Sequence, residues 1–97
     1  MRNMFVFLGR LTDDPQIEEK VTRFTIACEE GKKNENDEKI VNYFQITAFG
    51  KRKEIVDKHL KKGMMVQCSG EVRNNNYQKE DHMVYSNSFV LTNVEFG

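Results

Sequence analysis

Two rings that could do chemistry stand in the stretch VNYFQITAFGK, Val41 to Lys51. Tyr43, Gln45, Thr47 and Phe49 alternate there with Phe44, Ile46 and Ala48. Strict alternation marks a strand with two unlike faces. The face of Phe44, Ile46 and Ala48 belongs to a core. The other sets a tyrosine and a phenylalanine among polar side chains. Rings displayed in this way can stack on flat ligands, nucleobases above all, because every base has a π-face. They can equally pack in a subunit interface or a second small core. On the residues alone the two readings stand level.

Cations that could hold phosphates accompany the rings: Arg10, Arg23, Arg52, Arg73, Lys32, Lys33, Lys51 and Lys79. Most surface lysines of any protein are merely solvated. Arg10, Arg73 and Lys51 are best placed, because they sit beside the aromatics or on the strands that flank them. The run KHLKK at 58–62 reads as a helix end completed by cations. Two further aromatics are exposed to question. Tyr77 lies in a polar stretch, and Tyr85 could stack on a ligand or pack on a sheet.

Other chemistries find little support. Cys28, Cys68, His59 and His82 fit no zinc spacing. The cysteines read as small buried apolar residues, reduced in a cytoplasmic setting. Nucleophile–base pairs, Walker loops and paired-acid signatures are not recognisable. The pairs Asp13-Asp14, Glu18-Glu19 and Glu29-Glu30 read as solvated loop charge. No catalysis, metal or cofactor is expected.

The chain of 97 residues makes one domain, near the lower end of what one core can stabilise. With 38% of residues hydrophobic and 31% charged, the core positions must be well chosen. Fifteen Lys and Arg balance fifteen Asp and Glu, which argues against a polycation that coats duplex DNA. A local basic groove remains compatible with that balance. No apolar run reaches the length of a membrane span, and MRNMFVFLGRL reads as a strand and not a signal peptide.

The elements that must position the rings follow from the periodicity. Residues 3–11 read as a first strand, with Phe5, Phe7, Gly9 and Leu11 on one face and Met4, Val6, Leu8 and Arg10 on the other. Both faces are apolar over most of its length, so Met4, Val6 and Leu8 suggest a partner subunit. Residues 12–16 are a turn around Asp14-Pro15. Residues 21–28 form a second strand, with Phe24, Ile26 and Cys28 inward. Residues 29–39 contain no apolar side chain and read as a long mobile loop. Residues 40–49 are the third strand. The period then becomes helical over residues 51–63, with Gly63 as the stop. Residues 64–73 form a fourth strand, and Gly70 within it predicts a bend or a close approach. Residues 74–82 are a second polar loop. Residues 83–96 are the last strand, with Phe89, Leu91, Val94 and Phe96 facing the core.

Three strands, a helix and two strands is the order of the OB-fold, a five-stranded Greek-key barrel: all-β with one helix. At this point the chain resembles the bacterial and phage single-stranded DNA-binding proteins. The likeness rests on NMFVFLGRLTDDPQ at 3–16, FTIA at 24–27, YFQITAFGKRKEIVDKHLKKG at 43–63, CSGEVRNNNY at 68–77 and VYSNSFVLTNVEF at 84–96. It spans nearly the whole chain, and the ordered set is more specific than any one piece.

The resemblance implies that Tyr43, Phe49 and Tyr77 occupy the family's base-stacking positions, and it tips the opening question toward stacking. It implies a passive, sequence-independent coat on single-stranded DNA, serving replication, recombination or repair in the bacterial cytoplasm or that of a phage host. It implies a homo-oligomer, a tetramer in this family, paired through the first strand. There are departures. Lys32 stands where the family carries an aromatic, the segment between Pro15 and Val21 is short, and there is no Trp. The chain stops at Gly97, where cellular members continue into a flexible tail with an acidic tip; the expectation is a tail-less, single-domain version spanning 1–97. The nearest rival is an OB-fold primosome or recombination accessory protein acting mainly through protein contacts. A structural oligomer or enzyme subunit built on the barrel, and an RNA-binding OB domain, are the others.

Overall fold

The computed structural model describes residues 3–84 and 86–97, the side chain of Tyr77 excepted. The strands are β1 (Phe5–Leu11), β2 (Gln16–Ile17), β3 (Val21–Lys33) and β4 (Lys39–Phe49). The helix α1 (Gly50–His59) follows, then β5 (Met65–Asn74), β6 (Tyr77–Lys79), β7 (His82–Val84) and β8 (Asn87–Phe96). Around the sheet the order is β1-β5-β8-β4-β3, and β1 pairs again with β3, so five strands close into a barrel. The pairing of β4 with β8 is parallel and the rest are antiparallel. This is the Greek-key closure of an OB-fold. The two-residue β2 adds to the edge of β3, and β6 with β7 makes a separate hairpin.

The alternating pattern explains the barrel directly. Inward residues Phe5, Leu11, Phe24, Ile26, Ile46, Ala48, Val66, Cys68 and Leu91 are buried. Four partly or wholly buried phenylalanines pack together: Phe7 stacks on Phe44 at 4.0 Å, and Phe89 meets Phe5, Phe7 and Phe44 edge-on at 5.2–5.6 Å. Such edge and offset contacts add to the area term. The helix sends Val56 into the core, with Leu60 just beyond its end. Thr22 is buried on β3, and its hydroxyl donates to Asp57 at 2.5 Å. Lys53 Nζ donates to the other Asp57 oxygen, also at 2.5 Å. Partial burial pushes the Asp57 carboxyl up, but the hydrogen bonds from Lys53 and Thr22 and the Lys53 charge hold it below its ordinary value.

Closure demands close backbone approach. A Cβ on Gly9 would lie 2.5 Å from the Ala27 carbonyl oxygen of β3. A Cβ on Gly70 would overlap the Val90 carbonyl, and the β5–β8 register shifts between Ser69 and Gly70. Gly70 is therefore the bend that its mid-strand position predicts.

Several expectations need correction. The stretch 29–39 is not a long loop. β3 and β4 run on as a solvated ribbon to Lys33↔Lys39, past an irregularity between Glu29 and Lys33. Only residues 34–38 turn. The Asn34 carboxamide oxygen accepts from the Asn36 and Glu38 amides at 2.9 and 3.0 Å, the local chemistry that replaces an apolar signal. The helix ends at His59, and Gly63 serves a following turn in which its amide donates to Leu11 O at 2.9 Å. The expected last strand is two, β7 and β8. Phe96 is not a core residue: it is 37% exposed and lies against His59 at 5.2 Å. Phe96 stands opposite buried Val66 at the last position of β8, so its exposure is that of a strand end; the register shift at Gly70 is the change of parity already visible between Leu91 and Val94.

Candidate nucleic-acid interface

The outer row of β4 builds the site. Ala27 on β3 stands opposite Tyr43, Thr25 opposite Gln45, Arg23 opposite Thr47 and Val21 opposite Phe49. Tyr43 is 66% exposed and Phe49 47%. Six residues of strand set them about 20 Å apart. Their inward neighbours Ile46 and Ala48 are fully buried, so the row rests on rigid core. The small Ala27 opposite Tyr43 leaves that ring uncovered.

Each ring sits in its own recess. Around Phe49 a groove of about 350 Å³ is lined by Arg23, Gln45 and Thr47, by Ser88 and Val90 of β8, and by Arg73 and Asn75. Around Tyr43 a recess of about 410 Å³ is lined by Leu8, Arg10, Ala27, Glu29, Val41 and Met65. The first is polar with an arginine on two walls; the second is mainly apolar.

The cations divide into committed and available. Arg52 donates through Nε to Thr92 O at 3.1 Å and ties α1 to β8. Lys33 pairs with Asp37 at 3.4 Å within the ribbon turn. Arg10 donates one guanidinium N–H to Gly63 O at 3.0 Å and keeps its other donors at the Tyr43 recess. Arg23 pairs with Glu18 at 3.2 Å and Arg73 with Glu71 at 3.7 Å. Exposed pairs of this kind contribute about 0–1 kcal/mol, so a phosphate can displace the carboxylate at little cost. Lys32 on the ribbon, Lys51 in the first turn of α1 and Lys79 at the end of β6 are exposed and carry no ion pair among the described residues.

The expected sites thus separate. The structure brings Arg23 and Arg73 to Phe49 and Arg10 to Tyr43; Arg52 is tied to β8, and Lys33 lines neither recess, its exposed pair with Asp37 being as easily displaced as those of Arg23 and Arg73. Tyr77 begins β6, opposite Val84. Tyr85 lies outside the described residues. Met4, Val6 and Leu8 are 75%, 54% and 61% exposed, an apolar row along β1. Sequence reasoning passed over Asn75 and Ser88, which share the Phe49 groove; only the β5–β8 register brings them there. The cysteines line the barrel interior. Burial raises the Cys28 thiol, and burial together with Cys28 pushes Cys68 up to about 12, so both stay protonated near neutrality. No helix among the described residues is long and apolar enough to cross a membrane.

Known proteins share this architecture. The model of the single-strand binding protein family matches residues 2–97. The chain belongs to that family. The single-stranded DNA-binding protein of Staphylococcus epidermidis is 31% identical over 100 residues, covering 99% of this chain and 76% of its own length. Its Staphylococcus aureus counterpart, single-stranded DNA-binding protein 1, is also 31% identical, over 99% of this chain but 65% of its own length. Among solved structures, the Plasmodium falciparum SSB in complex with single-stranded DNA superposes with a TM-score of 0.78 at 21% identity, covering 97% of this chain and 93% of that one. That likeness establishes the fold.

Proposed function

We propose that this chain binds and protects single-stranded DNA during replication, recombination or repair, by base stacking and phosphate contact and without dependence on sequence. The observation that carries the reading is the pair of exposed rings, Tyr43 and Phe49, on one outer strand row with Arg10, Arg23 and Arg73 beside them. Stacking contributes about 1–3 kcal/mol per base, and each neutralised phosphate adds to a salt-dependent term. Tyr77 and Tyr85 are further stacking residues in this reading, and Lys32, Lys51 and Lys79 further phosphate contacts. Residues 1–97 act as one OB-fold domain. The apolar row of Met4, Val6 and Leu8 fits pairing between copies of the chain, four in the assembly. Proteins of replication and recombination are its partners, in the cytoplasm or nucleoid.

The test is fluorescence anisotropy with a labelled oligo(dT) and a duplex of equal length, at two salt concentrations. The expected result is tight binding to the single strand, weak binding to the duplex, and loss in the Tyr43→Ala/Phe49→Ala variant. Equal weak binding to both, untouched by the substitutions, would sink the proposal and favour an accessory protein that works through protein contacts.

A further inference from the structure

The β6–β7 hairpin has no wider sheet to lean on. Among the described residues its strands pair only with each other, through Tyr77↔Val84, Gln78↔Met83 and Lys79↔His82. A two-stranded hairpin of that length is marginal in water when isolated. Its orientation must be set where it leaves the barrel. The β5–β8 ladder ends at Asn74↔Asn87, and pairing resumes at Tyr77↔Val84. Between them lies a stem. A backbone bond spans it, the Asn75 amide donating to Ser86 O at 2.9 Å. Alone, such a bond is a hinge. Two side chains close it. The Ser86 hydroxyl donates to Asn75 O at 3.1 Å, and the Asn75 carboxamide donates to the Ser88 hydroxyl. Ser88 stands opposite Arg73, and Arg73, Asn75 and Ser88 all line the Phe49 groove. The tie is made on the groove wall, so any tilt of the hairpin is a tilt relative to Phe49.

The far end of the hairpin makes that tilt matter. Lys79 is exposed, and Glu80 and Asp81 follow it in the turn. A tip with one lysine and two carboxylates attracts a phosphate only when the lysine is turned toward it. About 13 Å of strand separates Asn75 from Lys79. A small rotation at the stem therefore moves the lysine by several ångströms. Ordering a loose arm at the moment of binding also costs affinity, and an arm held in advance avoids that cost.

We infer that Asn75, through Ser88, is a positioning residue for single-strand binding: it holds the β6–β7 hairpin against the Phe49 groove wall so that Lys79 meets the phosphates of a strand lying there. The inference rests on the single-strand reading above and adds to it a residue that acts through another.

The experiment is a double-mutant cycle read by oligo(dT) titration over a range of salt, on wild type, Asn75→Ala, Lys79→Ala and the two together, with a thermal melt of each to verify folding. Asn75→Ala keeps both bonds to Ser86, so the stem persists and only the tie to Ser88 is lost. Ser88→Ala cuts the same tie from the other side and replaces the first variant should that one not fold. Lys79→Ala is expected to lower the slope of log affinity against log salt by about 0.7, one phosphate on a single strand. Asn75→Ala is expected to lower the slope too, although asparagine carries no charge. The pair is expected to fall no further than Lys79→Ala alone, because an absent lysine has no position to lose. An asparagine that only stabilises the fold would shift the melt and leave the slope at its wild-type value. One that itself touches the strand would add its loss of affinity in full to that of Lys79→Ala. Either result, or a Lys79→Ala chain with the wild-type slope, overturns the assignment while leaving the stacking rings intact. A wild-type chain that binds no single strand removes both.

Discussion

The two ends of the β4 outer row solve one problem by different means. At the Phe49 end the ring stands where strand becomes helix, next to buried Ala48, with Arg23 and Arg73 lining the same groove. At the Tyr43 end the ring stands where the barrel gives way to the ribbon, with Leu8, Val41 and Met65 about it and Arg10 as the cation. The first end is electrostatic and rigid, the second apolar and continuous with the exposed row on β1. Binding at Phe49 should answer chiefly to salt, and binding at Tyr43 chiefly to ring area and to whatever covers Leu8.

The largest expected effect separates the ends by ring removal. Phe49→Ala and Tyr43→Ala should each weaken oligo(dT) binding about 5- to 150-fold, the span of 1–3 kcal/mol per stacked base. A ring whose removal leaves the titration unchanged is not a stacking residue, and the comparison then fails at that end.

Assembly comes next. Leu8→Asp places a charge in the apolar row of β1 and in the Tyr43 recess together. Sedimentation should show a smaller oligomer than wild type, and DNA binding should fall as it does on loss of Tyr43. An unaltered sedimentation profile would show that β1 is not the pairing surface.

Salt dependence sharpens the contrast. Arg23→Ala and Arg73→Ala should each reduce the slope of log affinity against log salt by about 0.7, the value for one phosphate on a single strand. Arg52→Ala, whose guanidinium lines neither recess and donates through Nε to Thr92 O, should leave the slope unchanged. Equal slopes in all three variants would dissolve the distinction between committed and available arginines.

The smallest effect concerns what steadies the Phe49 end. Thr22→Val removes the hydrogen bond to Asp57 and should cost about 1 kcal/mol, or about 4–8 °C in melting temperature for a domain of this size. Asp57 has a lowered value when folded. Its contribution is therefore complete above the unfolded carboxylate value near 3.8 and is lost as pH falls through the lower folded value. Wild type should lose melting temperature below about pH 4 more steeply than Asp57→Asn. Parallel acid limbs would show that the helix anchor does not depend on that charge.

Much of this was legible before any coordinates. Alternation gave the inward rows, because one buried face per strand writes itself into the residue order. Gly70 betrayed its bend, since nothing larger tolerates the Val90 carbonyl. The rings of β4 were visible for the same reason as the core: parity puts them opposite it. What stayed hidden depends on partners distant in sequence. The ribbon at 29–33 has no apolar side to report its pairing. Arg52 looks like any surface arginine until β8 brings Thr92 to it. Asn75 and Ser88 become neighbours only through a register that includes a bulge.

Barrel closure has a kinetic consequence. Among the described residues, Arg10↔Ala27 and Leu11↔Ile26 are the registered pairs between β1 and β3, with the Thr12 amide donating to Thr25 O just beyond them, against a β3–β4 ladder that begins at Val21 and continues to Glu29. Like the parallel β4–β8 junction, which also registers two pairs, the β1–β3 contact is a short seam, where local opening breaks few bonds and amide exchange should be fast among the core strands. Arg10 lies on that seam and at the Tyr43 recess. A strand of DNA held between Arg10 and Tyr43 spans the seam as a staple, so ligand occupancy should be recorded as slowed exchange in β1 and β3, in proportion to ligand concentration over Kd.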